Sequence, residues 1–271
     1  MPTLDLPTLD LPNGRKLAYR EDGSGPPLVM VHGSPGEGRS WGRVVPHLKE
    51  RFRTICPDLP GYGGSDRLED DVPAGRMAAM GTAVARLVDS LGEPVHLIGH
   101  SFGGNIALQA AMQVQAGAVE RIVLFEPVYF RALQLTADDT ALKPAAAHFE
   151  DYARRATAGE PEVVRLMIDY WFGDGAFGRM PDPVRGYLSA AAARNAIDVR
   201  SCFVCTSTAA DLAALKQPVT IVDGGTSQEV VRSIARALVT LLPNARTEGL
   251  AGANHGMLDT HPEAVARLIA T

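Results

Sequence analysis

The chain is poor in cysteine, in surplus positive charge and in long apolar runs, and each shortage narrows its function. Only three cysteines, Cys56, Cys202 and Cys205, occur in 271 residues. So sparse and odd a set builds no disulfide framework and suits a reducing compartment, so the expected location is the cytoplasm. Cys202 and Cys205 lie three apart with no second cysteine or histidine pair nearby, so they read as small apolar residues rather than metal ligands. The formal net charge is −5 with no basic patch, so nucleic acid is not an expected partner. No stretch approaches the roughly 20 apolar residues that span a bilayer, so no membrane association is expected. Residues Met1–Asp5 show neither the basic region nor the apolar core of a secretory signal, and none is expected.

With 46% hydrophobic residues, the chain can fill one large core. Short apolar runs at Leu28–Val31, Arg53–Pro57, Val95–Ile98, Arg121–Phe125, Val219–Val222 and Ala245–Gly249 read as strands. Helical spacing lies between them at Trp41–Glu50, Gly75–Leu91, Phe102–Gln115, Gln228–Leu242 and Pro262–Ala270. This alternation predicts an α/β fold, a mostly parallel twisted sheet with helices on both faces. The rhythm breaks between residues 129 and 215, where His148–Ala158 and Pro161–Trp171 have helical spacing and no parallel strand is evident. Residues 129–215 are therefore expected to be an inserted helical lid, and residues 1–128 and 216–271 the core. The pentapeptide Thr3–Pro7 is repeated at once as Thr8–Pro12, which reads as a duplicated edge-strand start or a cloning scar. Asn13-Gly14 then predicts a hairpin turn.

The segment Gly99-His100-Ser101-Phe102-Gly103 puts a serine between an apolar strand and a helix. Glycines at 99, 103 and 104 allow so tight a bend and hold the Ser101 hydroxyl outward. A serine hydroxyl is a poor nucleophile without a base and an acid to orient that base. His255, in a loop after the last strand, is the expected base. His96 reads as strand core, His47, His148 and His261 as helix residues, and His100 is expected to point away from the serine. Two backbone N–H groups could hold a developing oxyanion: Phe102 at a helix start, and Ser34 in His32-Gly33-Ser34-Pro35-Gly36.

The order HGSPG, DLPGYGGSD from Asp58, GHSFGG and finally GANHGM resembles the α/β-hydrolase superfamily over almost the whole chain outside the lid. The resemblance implies a structural role for Asp58. It also implies an aspartate soon after the strand that follows the lid, where this chain has Ser227 and Gln228. Glu126, ending the strand after the nucleophile's helix, is the preferred acid, because some haloalkane dehalogenases and polyketide-type thioesterases look alike in using that position. Asp223, Glu229 and no acid at all stay open. Relatives that open epoxides or remove halogens use an aspartate nucleophile, so Ser101 points elsewhere.

The expected activity is hydrolysis of a carboxylic ester or thioester through an acyl-enzyme on Ser101. Alternatives are the same residues acting on another bond (a C–C hydrolase, lactonase, amidase or hydroxynitrile lyase) and a receptor without turnover. No metal, nucleotide or flavin is needed for such chemistry. Tyr152, Met167, Tyr170, Trp171, Phe172, Phe177 and Met180 of the lid could line an apolar pocket, with Met257 beside the base. The expected partner is a small molecule with an apolar or aromatic group, and the expected state a monomer or homodimer.

Overall fold

The computed structural model describes residues 6–68 and 72–271. Its strands are β1 (Thr8–Asp10), β2 (Lys16–Asp22), β3 (Pro27–Val31), β4 (Arg53–Pro57), β5 (Val95–His100), β6 (Val119–Phe125), β7 (Val219–Gly224) and β8 (Ala245–Leu250). They form one sheet in the order β1-β2-β4-β3-β5-β6-β7-β8. The β1–β2 and β2–β4 pairs are antiparallel, and all pairs from β4–β3 onward are parallel. Helices α1 (Arg76–Ser90) and α2 (Phe102–Ala111) flank β5 in sequence. Between β6 and β7 lie α3 (Phe130–Leu135), α4 (Asp139–Thr157), α5 (Arg165–Phe172), α6 (Ala176–Arg179), α7 (Asp182–Phe203) and α8 (Ala209–Ala214). Helix α9 (Glu229–Leu241) precedes β8, and α10 (Met257–Thr260) and α11 (Pro262–Ala270) close the chain.

Successive strand residues point to opposite faces, so each parallel strand feeds two cores. Val29, Val31, Leu97, Leu124 and Ile221 pack on one side with Val84, Leu87, Ile106 and Leu108 of α1 and α2. Leu28, Met30, Ile98, Phe125 and Val222 pack on the other with Trp41, Val265 and Ile269. Burying a leucine, isoleucine or valine side chain stabilises the fold by about 1.5–3 kcal/mol, so the doubly covered central strands are its most stable part. The second pentapeptide copy forms β1 at the sheet edge, and the Asn13-Gly14 turn joins it to β2, with Gly14 at φ 75° and its N–H donating to the Leu11 carbonyl at 2.9 Å. Thr3, Leu4 and Asp5 of the first copy lie outside the described residues.

Two helix expectations need correction, and one helix lies outside them. Trp41–Glu50 is not one α-helix but two 3-10 turns, Gly38–Trp41 and Val45–His47. Pro46 has no N–H to continue an α-helical ladder, and the bonds there run three residues back, as from Val44 to Trp41 at 2.8 Å. Helix α4 begins at Asp139 rather than His148, because the Asp138 carboxylate caps it by accepting from the Ala141 N–H at 3.2 Å. The long α7 has no counterpart among the expected helices: its alanine-rich sequence lacks a dominant apolar stripe. Among the described residues, no helix is long and apolar enough to cross a membrane, and no group of three or more His, Cys, Asp or Glu side chains could hold a metal ion.

Candidate active site

Ser101 sits between β5 and α2 at φ 56° and ψ −125°, a conformation that L-residues adopt only under constraint. The constraint is close packing. A Cβ on Gly99 would lie 2.5 Å from the Gly103 carbonyl oxygen, and one on Gly103 would lie 2.3 Å from that of Val31. The bend is pinned to the next strand, with the Ser101 N–H donating to the Phe125 carbonyl at 2.9 Å.

His255 follows β8 and is buried. Its Nδ1–H donates to Glu126 Oε2 at 2.7 Å, which leaves Nε2 to accept from Ser101 Oγ–H at 2.9 Å. Glu126, directly after β6, is fully buried and held at φ 45°. Its other oxygen accepts from the Gly224 N–H at 2.8 Å and from Ser227 Oγ–H. Burial alone would raise the Glu126 carboxyl, but the hydrogen bond and charge of His255, then Ser227 and Gly224, hold it below the ordinary carboxylate value. Ser227, in the slot where an aspartate would be expected, thus donates to the carboxylate that reaches His255. Asp223 lies within β7. Glu229 is exposed and pairs with Arg232 at 2.8 Å and Arg236 at 2.9 Å.

Phe102 provides the first amide of α2, where the helix itself supplies no acceptor and its dipole favours negative charge. Ser34 faces the same cavity as Ser101 and Phe102. Its side chain is held by residues that sequence reasoning missed. Ser34 Oγ–H donates to Asp198 Oδ2 at 2.5 Å and accepts from Asn195 Nδ2 at 2.9 Å. Tyr62 OH also donates to Asp198 at 2.5 Å, and Arg76 Nε pairs with its other oxygen at 2.5 Å. Burial first, and the Asp198 charge next, keep the Tyr62 phenol well above its ordinary value, so it stays a donor. Asn195 and Asp198 lie on α7, and no motif marked them; polar residues in an alanine-rich helix read as its solvent face.

His100 is closer to the site than expected: its Nε2–H donates to the His255 carbonyl at 3.0 Å. Burial first, and the neighbouring His255 next, push His100 down to about 3, so it is neutral around pH 7. Asp58 bridges three segments, accepting from the Gly38 N–H at 2.7 Å, the Gly64 N–H at 2.9 Å and Arg20 at 2.6 Å. Trp171 stacks on His255 with ring centroids 4.8 Å apart, and Phe172 meets it edge-on at 5.6 Å. The pocket expectation needs correction for Tyr170 and Met257. Tyr170 stacks on His148 at 4.6 Å and borders neither cavity that touches Ser101, and Met257 is buried in the second core. Tyr152 and Phe177 are also interior, whereas Met167 and Met180 do line the site. A hydroxyl, an imidazole and a carboxylate in this chain of contacts can pass the serine proton to the ring as the oxygen attacks.

A soluble epoxide hydrolase from Corynebacterium sp. (strain C12) is 38% identical over 117 residues, 43% of this chain and 40% of that protein. Polyketide synthase ThaQ from Burkholderia thailandensis is 30% identical over 270 residues, 94% of this chain but 12% of that protein. The match thus spans less than half the length of either relative. An esterase from Exiguobacterium antarcticum superimposes with a TM-score of 0.76 at 20% identity, covering 97% of both chains, a likeness of fold. A sequence model described as the alpha/beta hydrolase family matches residues 28–268. With that match over nearly the whole described core, the chain belongs to the alpha/beta hydrolase family.

Proposed function

We propose that the protein is a serine hydrolase that cleaves a carboxylic ester or thioester through an acyl-enzyme on Ser101. The observation that carries this reading is the unbroken contact from Ser101 Oγ through His255 to Glu126, at 2.9 and 2.7 Å. His255 takes the Ser101 proton as Oγ attacks the carbonyl carbon. The N–H groups of Ser34 and Phe102 hold the oxyanion, each worth roughly 3 kcal/mol of activation energy. The imidazolium then protonates the leaving group, and a water activated by His255 releases the acid. Glu126 holds the tautomer that this cycle needs and stabilises the imidazolium.

In this reading residues 129–215 form a lid over a core of residues 1–128 and 216–271. Two contacts support it: Trp171 and Phe172 of α5 cover His255, and α7 carries the residues that hold Ser34. The substrate is a small molecule, and the three free cysteines favour the cytoplasm. The test is labelling with a fluorophosphonate, with the adduct mapped by mass spectrometry, beside hydrolysis of p-nitrophenyl esters. The expected adduct is on Ser101, and Ser101→Ala is expected to abolish both signals. Ester turnover that survives in Ser101→Ala sinks the reading.

A further inference from the structure

The space around Ser101 is divided unequally. An inner cavity of about 30 Å³ is bounded by Val128, Phe130, Phe149, Met167, Asn195 and Asp198. An outer cavity of about 280 Å³ is bounded by apolar Ile168, Phe172, Met180, Leu188 and Leu258. Ser34, Ser101, Met167 and Trp171 border both. His255 borders the outer cavity and not the inner one.

That asymmetry decides which half of a substrate goes where. The departing atom must collect its proton from His255 Nε2, the nitrogen that lies 2.9 Å from Ser101 Oγ. The leaving group therefore occupies the cavity that His255 borders, and the acyl group turns the other way. The inner cavity is about a tenth the size of the outer one, 30 against 280 Å³, which suits a short acyl chain. A hexanoyl chain would have to displace Phe130 or Phe149, whose rings pack together at 5.9 Å and onto Phe203 and Trp171. The outer cavity is larger and mostly apolar.

We infer that the substrate is an acetyl- or propionyl-sized ester or thioester of a larger apolar or aromatic alcohol or thiol. The inference rests on the serine-hydrolase reading and narrows it. Ser101 Oγ bonds to the carbonyl carbon as its proton passes to Nε2. The carbon's bond to the leaving oxygen or sulfur then breaks, and the proton on Nε2 moves to that atom. Water repeats the sequence: it gives a proton to Nε2 and bonds to the carbon, and Oγ leaves with that proton, freeing the short acid.

The test uses the full chain and two ester series. With p-nitrophenol as the constant leaving group, kcat/KM is expected to fall at least tenfold from acetate or propionate to hexanoate. With acetate as the constant acyl group, a naphthylmethyl ester, whose alcohol is about as acidic as methanol, is expected to be used at least as well as a methyl ester. Val199 and Phe149 border both the inner cavity and a groove lined also by Leu142, Ala146 and Phe203. Val199→Ala is therefore expected to raise the hexanoate-to-acetate ratio several-fold and leave the naphthylmethyl preference alone. Leu188→Trp, which narrows only the outer cavity, is expected to do the reverse. Faster turnover of hexanoate than acetate by the wild type overturns the inference, as does a ratio unmoved by both Val199→Ala and Met167→Ala. Failure of the underlying reading looks different: no ester is turned over and no fluorophosphonate adduct forms on Ser101, and the inference falls with it.

Discussion

Asp198 Oδ2 accepts the hydroxyl of Ser34 at 2.5 Å, although 164 residues separate the two. One lies on a helix between β6 and β7, the other in the loop after β3. The carboxylate is fully buried and also pairs with the buried Arg76 guanidinium. Helix α7 therefore does more than line the cavity, because it also holds the Ser34 side chain in the loop after β3.

Removing that carboxylate takes a 2.5 Å charge partner from the buried Arg76 guanidinium and an acceptor from the Tyr62 hydroxyl. Asp198→Ala is expected to lower stability by about 1.5–3 kcal/mol, read from urea unfolding midpoints. In the folded fraction, kcat is expected to fall at least tenfold, because Ser34 loses one of the groups that hold its hydroxyl. Wild-type kinetics in a folded Asp198→Ala would show that Ser34 keeps its place without it.

The carboxylate that orients His255 can be identified by exchange for amides. Glu126→Gln is expected to cut kcat by roughly 1,000-fold or more, since an amide cannot balance an imidazolium. Asp223→Asn and Glu229→Gln are expected to stay within about threefold of wild type. Ser227→Ala removes one donor to Glu126 and is expected to cost about tenfold. Steady-state kinetics on a p-nitrophenyl ester measure all four, and a large loss in Asp223→Asn alone would reassign the acid.

His100 makes the fold sensitive to acid. Its folded value is pushed from 6.5 to about 3, so the unfolded chain binds this proton first. The stabilisation is fully present above pH 6.5 and falls away as pH drops toward 3, by a few kcal/mol in all. Burial also lowers His32, which adds to the same slope. His100→Gln, whose amide can still donate to the His255 carbonyl, is expected to flatten stability against pH over this window. Denaturant midpoints at several pH values measure it, and an unchanged slope would count against a neutral buried His100.

Glu126 acts in the same direction at lower pH. Its folded value lies below 4.5, so its stabilisation is present above the unfolded value and lost as pH falls through the folded one. Glu126→Gln is expected to unfold less steeply than wild type below about pH 4.5, followed by circular dichroism.

The turn at Ser101 is intolerant of a single added methyl. Gly103→Ala would put Cβ 2.3 Å from the Val31 carbonyl oxygen and 2.4 Å from that of His32, both in packed backbone. The expected result is a loss of about 3 kcal/mol or more and little activity, with both read on the purified variant. Gly186→Ala, where a Cβ meets nothing within 4 Å, is the control and is expected to be neutral or slightly stabilising.

Much of the core was legible because its signals are local. Arg53–Pro57, Pro262–Ala270 and the strand-turn-helix around Ser101 follow from spacing within a few residues, and β-sheet and helix periods are that short. Trp41–Glu50 misled because its apolar spacing is helical while Pro46 denies the hydrogen bond that a helix needs there. Tyr170 and Met257 misled because an apolar side chain near a site is usually packing, and sequence does not say which way it faces.

The parallel α/β frame, the strained serine bend and the loop histidine are each encoded by neighbours along the chain. Which carboxylate meets that histidine depends instead on how distant segments come together. The sheet order β5-β6-β7-β8 sets the end of β6 between the serine bend and the loops after β7 and β8, so Glu126 gathers His255, Ser227 and Gly224 around it. Only packing between α7 and the core decided what holds Ser34 and how little room lies behind it. Contacts between residues far apart in sequence depend on how twisted layers stack, and no short-range period records that.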